Sequence, residues 1–121
     1  MVAYFFDTYA MIELVKTSPA YAVFIEEPVT TTKFNLAELF YILLSEVGEE
    51  KAMSALTKFK DFEAEVTGEI LIKAMKFRLQ HKRKGFSYAD CIGYVFAVQN
   101  RMKFLTGDDA FRGMDNVEFV K

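Results

Sequence analysis

The sequence predicts an α/β fold: a three-layer α/β/α sandwich around a parallel sheet of four to five strands. Two observations carry this. Short apolar or β-branched runs (Val2–Phe6, Val29–Thr32, Phe104–Thr106, Val117–Val120) alternate with longer amphipathic stretches. The opening run, Val2-Ala3-Tyr4-Phe5-Phe6, is continuously apolar, as expected of a strand covered on both faces. The 121 residues contain no repeat, low-complexity tract or linker, so they are read as one domain spanning 1–121.

Each element has a local reason. A helix follows Asp7 through Met11-Ile12-Glu13-Leu14-Val15. Ser18-Pro19 opens a second short helix with Pro in its first turn, through Tyr21, Phe24 and Ile25, and Pro28 breaks it. Val29–Thr32 is β-branched and reads as the second strand. Asn35 caps the next helix, whose apolar face carries Leu36, Leu39, Phe40, Leu43 and Leu44. Glu49–Lys60 is amphipathic, with Ala52, Met53, Leu56 and Phe59 inward. Asp61–Val66 alternates and reads as a short strand. A long helix runs from Ile70 through Ala74 and Phe77 towards His81, and Gly85 ends it. Ser87 caps the last helix, which runs to about Arg101 with Ile92, Val95 and Phe96 buried.

Composition narrows the function classes. A chain of this length buries roughly two-thirds of its unfolded surface, enough for a core. Thirteen Phe and six Met fit a bulky core or an apolar surface for a second subunit or partner. Cys91 is the only cysteine and His81 the only histidine, which leaves no disulfide, no zinc cluster and no catalytic triad. The opening Met1–Asp7 lacks a basic n-region and is too short to read as a signal peptide, and no apolar run approaches the roughly 20 residues of a membrane span. The expectation is a cytoplasmic protein with no membrane partner. The first 69 residues hold 12 acids against 5 Lys/Arg; Ile70–Ala89 holds Lys73, Lys76, Arg78, Lys82, Arg83 and Lys84 and no acid. That block is either a solvated helix end or a phosphate-binding surface.

Four acids, Asp7, Glu38, Asp90 and Asp108, each follow a strand-like run or open a helix-like segment. In open parallel sheets such positions gather at the carboxyl ends of the strands. Carboxylates so gathered repel one another unless a divalent cation joins them. Each also has a local explanation. Asn35-Leu36-Ala37-Glu38 and Ser87-Tyr88-Ala89-Asp90 have capping-box spacing, and Asp7 and Asp108 suit an N-cap.

Four segments resemble the PIN domain family, and in size the chain is similar to its VapC-type toxins. They are the apolar strand ending in Asp7-Thr8, then Asn35-Leu36-Ala37-Glu38-Leu39, Ser87-Tyr88-Ala89-Asp90, and Leu105-Thr106-Gly107-Asp108-Asp109-Ala110-Phe111. The resemblance covers essentially the whole chain. It implies an endoribonuclease that hydrolyses RNA phosphodiester bonds with Mg2+ or Mn2+ held by Asp7, Glu38, Asp90 and Asp108. Thr8, Ser87 and Thr106 are candidates to orient those carboxylates. Asp108 is preferred to Asp109 because it keeps the Thr-x-Asp spacing. Tyr9 departs from the family, which often has Ser or Asn there. Lys82, Arg83, Lys84, Arg112 and Tyr9 are the candidate RNA contacts. The resemblance also implies a small antitoxin and a homodimer, as in a VapBC-type toxin–antitoxin pair. A free-standing PIN nuclease of RNA processing and a non-catalytic RNA- or protein-binding module remain open. A receiver-type phospho-acceptor domain would carry paired acids after its first strand, where Asp7 stands alone.

Overall fold

A computed structural model describes residues 1–121. In chain order the elements are β1 (Tyr4–Phe6), α1 (Thr8–Val15), β2 (Thr31–Thr32), α2 (Lys33–Val47), α3 (Glu49–Phe59), β3 (Glu63–Ala64), α4 (Gly68–Gln80), α5 (Tyr88–Gln99), β4 (Lys103–Thr106) and β5 (Val117–Phe119). Short 3-10 turns occupy Pro19–Phe24, Lys60–Phe62, Lys82–Lys84 and Asp109–Phe111.

All strand pairs are parallel. Strands β1, β4 and β5 form one sheet in that order, with Phe5 opposite Phe104 and Phe104 opposite Val117. Strands β2 and β3 pair separately. The Phe6 N–H donates to the Thr30 carbonyl at 2.9 Å, which stitches the pieces into the order β3-β2-β1-β4-β5. The chain leaves β1 towards β2 and leaves β4 towards β5. The crevice between β1 and β4 is therefore the point where strand order reverses, the place an open α/β sheet offers to a ligand.

Side-chain alternation along β1 and β4 builds two cores. Phe6 and Leu105 face α1, α2 and α3, with Met11, Tyr21, Leu39, Leu43 and Phe59. Phe5 and Phe104 face α4 and α5, with Ala74, Cys91, Ile92 and Phe111. These are the outer layers of the predicted sandwich. Phe5 and Phe6 are fully buried, as the continuous apolar run requires, and so are Phe104 and Leu105. No helix is long and apolar enough to cross a membrane.

Several expected boundaries move. Strand β2 is limited to Thr31–Thr32, and only Glu63–Ala64 of Asp61–Val66 pairs as a strand. The cap of α2 is Thr32, whose hydroxyl accepts from the Asn35 N–H at 3.3 Å. Asn35 is thus inside the first turn and fully buried, not the cap. Helix α4 ends at Gln80, and Gly85, with φ +73, closes the following 3-10 turn. Met53, expected inward, is 48% exposed, and Ala55 takes its place in the core.

Candidate active site

Asp7, Glu38, Asp90 and Asp108 line one cleft of about 270 Å³, with Thr8, Tyr9, Ile12, Ile42, Gly85 and Ser87. They arrive from four elements: the ends of β1 and β4, the second turn of α2 and the first turn of α5. Three are helix caps as well as cleft residues. The Ala10 N–H donates to Asp7 Oδ1 at 2.9 Å, and the Ala110 N–H to Asp108 Oδ1 at 3.0 Å. Asp90 and Ser87 form a reciprocal capping box: the Ser87 N–H donates to Asp90 Oδ2 at 2.9 Å, and the Asp90 N–H to Ser87 Oγ at 3.0 Å. The box expected between Asn35 and Glu38 does not form, because Thr32 holds the cap position.

Hydroxyls tie these acids together. Thr106 is fully buried; its side chain hydrogen-bonds to Asp7 and accepts from the Asp108 N–H at 3.1 Å. One hydroxyl thus links the acids that end β1 and β4. Thr8 belongs to a separate network. Its hydroxyl donates to the Asn35 carbonyl and accepts from Asn35 Nδ2, both at 3.3 Å. Asn35 Oδ1 accepts from the Thr32 hydroxyl at 2.6 Å. Asn35 therefore locks the start of α1, which carries Asp7, to the start of α2, which carries Glu38.

The electrostatics are one-sided. Burial holds the Asp7 carboxyl well above the usual carboxylate range, and Asp90 and Asp108 add repulsion, against the Thr106 and Ala10 hydrogen bonds. Burial pushes Asp90 up to about 6, with Glu38 and Asp108 adding to it, while the Ser87 bonds pull the other way. No Lys, Arg or His lines the cleft. An all-oxygen anionic donor set with no resident side-chain cation fits a hard divalent ion. As the side chains are placed, no group of three or more His, Cys, Asp or Glu could by itself hold a metal ion. Asp7, Asp90 and Asp108 each spend one oxygen on a cap, so an ion taken here would keep part of its water, as Mg2+ does. Cys91 is fully buried and its thiol is pushed up to about 11, which leaves no thiolate nucleophile.

The family model for the PIN domain matches residues 4–117. The chain belongs to the PIN domain family. Among solved structures it is similar to the Mycobacterium tuberculosis toxin VapC20, described as cleaving the sarcin–ricin loop (TM-score 0.74, 17% identity, 89% of this chain and 92% of that one). It also resembles a chain of a Klebsiella pneumoniae toxin–antitoxin complex (0.71, 18% identity, 95% of each chain). A third is VapBC2 of Rickettsia felis bound to a fragment of its promoter DNA (0.72, 16% identity, 99% and 100%). At these identities the likeness concerns the fold. No curated protein sequence matches the chain.

Around the acids of this PIN domain, the expected RNA contacts divide. Tyr9 lines the cleft, half-buried, its ring 6.4 Å from that of Tyr21. Arg112 does not: it pairs with Asp109 at 2.9 Å and stacks on Phe119 at 4.3 Å. Asp109 is exposed and binds both Arg112 and Lys121, outside the cleft. Lys82, Arg83 and Lys84 are exposed beside Gly85, on the rim, and Lys84 Nζ donates to the Ala110 carbonyl at 3.3 Å. Two residues escaped sequence reasoning as site components. Asn35, expected to cap α2, is instead the buried link between α1 and α2. Gly107 is packed so closely that a Cβ would lie 2.4 Å from both the Tyr9 ring and the Val120 carbonyl oxygen. Its place inside Thr106-Gly107-Asp108 was the available signal.

Proposed function

We propose that this PIN domain is a divalent-metal-dependent endoribonuclease, the toxin of a VapBC-type pair. The observation that carries it is the cleft itself: four carboxylates from four elements and no basic side chain in the lining. A structural role alone would not require such a concentration of buried like charge. Asp7, Asp90 and Asp108, with Glu38, would hold one or two Mg2+ or Mn2+ ions. When bound, such an ion acidifies water near neutral pH and offsets charge building on the phosphate.

The protein's own part is positioning. Backbone N–H groups at three helix or turn starts fix Asp7, Asp90 and Asp108. Thr106 sets the spacing of Asp7 and Asp108, and Ser87 orients Asp90. Tyr9, Ile12 and Ile42 supply the apolar part of the lining, where a sugar or base would rest. The likeness to chains from toxin–antitoxin complexes supports a small antitoxin as partner, with a homodimer and a cytoplasmic location as parts of the same reading.

The test is an RNA cleavage assay with MgCl2 or MnCl2, comparing the protein with Asp90→Asn. Metal-dependent cleavage abolished by the substitution is expected. Equal activity in the two proteins would sink the assignment.

A further inference from the structure

Beside the acidic cleft lies a smaller basic pocket of about 120 Å³, lined by Arg78, His81, Lys82, Gly85 and Phe86. Gly85 lines both cavities, so they share a wall. The basic pocket sits between the end of α4 and the start of α5, the helix that carries Asp90.

Arg78 is held in place. Its Nε donates to the Phe86 carbonyl at 3.2 Å, and its guanidinium lies 4.2 Å from the centre of the Tyr88 ring. A guanidinium has five N–H donors, so the four on its terminal nitrogens remain, in the fork geometry that matches a phosphate. His81 is fixed as well, stacked 4.3 Å from Phe77 with Nδ1 3.0 Å from the Phe77 carbonyl oxygen. Neither Arg78 nor Lys82, Arg83 or Lys84 pairs with a carboxylate, whereas Lys33, Lys73, Arg112 and Lys121 all do. Four cations without a carboxylate partner therefore stand within seven residues of one another beside the acidic cleft. Tyr88 is 60% exposed and immediately follows Ser87 of the acidic cleft. Arg78 braces its ring, and so much exposure leaves room for a base to stack.

We propose that this pocket binds a backbone phosphate of single-stranded RNA adjoining the one cut, with Tyr88 stacking a neighbouring base. This rests on the nuclease reading for the identity of the ligand. The acidic cleft repels phosphate, and a rigid Arg beside it supplies the attraction and sets the direction of the strand. A paired strand has no free base face for Tyr88, so the arrangement selects unpaired RNA.

The experiment is fluorescence-anisotropy binding of an unstructured, mixed-sequence 12-nucleotide RNA to the full chain carrying Asp90→Asn, in EDTA, across a salt series. Lys82→Ala and Arg78→Gln are each expected to weaken binding about 5- to 20-fold and to reduce the slope of log K against log salt by about 0.7, one single-strand phosphate contact. Tyr88→Leu is expected to weaken binding at least about 5-fold with the slope unchanged, and to leave a duplex of the same sequence unaffected. Arg112→Ala, already paired with Asp109, serves as the surface-charge control and is expected to stay within about twofold.

Lys82 is exposed and its removal spares the fold, so the test survives even if Arg78→Gln melts. Unchanged affinity and slope in Lys82→Ala and Tyr88→Leu overturn the proposal; an acidic protein segment as the true occupant would give that result. An equal loss in Arg112→Ala also overturns it. Cleavage by the unmodified protein alongside unaffected variants removes the subsite and keeps the nuclease. Absence of cleavage alongside weakened variants does the reverse.

Discussion

Asp90→Asn is expected to move stability and activity in opposite directions. Asp90 is held at about 6 against an ordinary 3.8, mainly by burial and then by Glu38 and Asp108. At about 1.4 kcal/mol per pKa unit, that difference is about 3 kcal/mol between its protonation states. The sign follows from the raised folded-state value. The stabilising contribution is fully present below pH 3.8 and is lost as pH rises through about 6. At pH 8 without metal the folded protein therefore carries nearly the whole penalty. Asn removes the charge and keeps an amide oxygen able to accept the Ser87 N–H, so the capping box survives. Allowing for the cost of burying the amide, the variant should be more stable at pH 8 by about 1–3 kcal/mol, a melting shift on the order of 5–10 °C. The gain should vanish near pH 4. The measurement is thermal unfolding by circular dichroism in EDTA at pH 4, 6 and 8, with RNA cleavage measured in MgCl2 at pH 8. Adding MgCl2 should raise the melting temperature of the unmodified protein and leave Asp90→Asn nearly unmoved. A variant that melts lower at pH 8, or a difference that does not change with pH, refutes the argument that Asp90 is kept at a cost to the fold.

Three further substitutions probe the rest of the site. Glu38→Gln touches a side chain that caps nothing, so the urea midpoint should hold to within about 0.5 kcal/mol while cleavage falls at least about tenfold; a large stability loss would assign Glu38 to the fold. Gly107→Ala places a methyl 2.4 Å from the Tyr9 ring and the Val120 carbonyl oxygen, and should cost about 1–3 kcal/mol with displacement of Tyr9, seen as a lower urea midpoint. A neutral result would show that β5 yields at this point. Asn35→Leu strips the Thr8 and Thr32 hydroxyls of their shared partner in a fully buried place. It should cost about 2–4 kcal/mol and lower activity through misplaced Asp7 and Glu38; wild-type melting would show that water satisfies both hydroxyls.

The parts of the fold legible in the sequence were those where burial and periodicity agree. Phe5 and Phe6 end a continuous apolar run, Phe104 and Leu105 form an apolar pair, and the four occupy both cores. The pairing in β2 and β3 is shorter than the apolar pattern suggests: Val29 packs against the core without pairing, and Phe62 is exposed in the 3-10 turn before β3. Asn35 was misjudged for a related reason. A polar residue just ahead of an apolar helix face reads as a cap, and only the tertiary contact with Thr8 explains its burial. Among the cations, chain proximity points to Lys82–Lys84, which lie beside the cleft, and equally to Arg112, which does not. Its pairing with Asp109 spans three residues and was open to inspection in the sequence.

Capping and ligand binding looked like rival explanations for the acids, and in three of four cases the rivalry is false. Asp7, Asp90 and Asp108 each accept a backbone N–H at the start of a helix or turn and also line the cleft. The cap lowers the cost of holding a carboxylate where water is scarce, since the peptide dipoles at such a start favour negative charge. It also fixes the rotamer by committing one carboxylate oxygen to the backbone. Burial wins nonetheless at Asp7 and Asp90, whose carboxyls stay above the ordinary range. The residual imbalance, set mainly by burial with the neighbouring acids adding to it, is what a cation would relieve at the point where the strand order reverses. Glu38 sharpens the point. It lies inside α2, caps nothing and still lines the cleft, so no local rule accounts for its presence there.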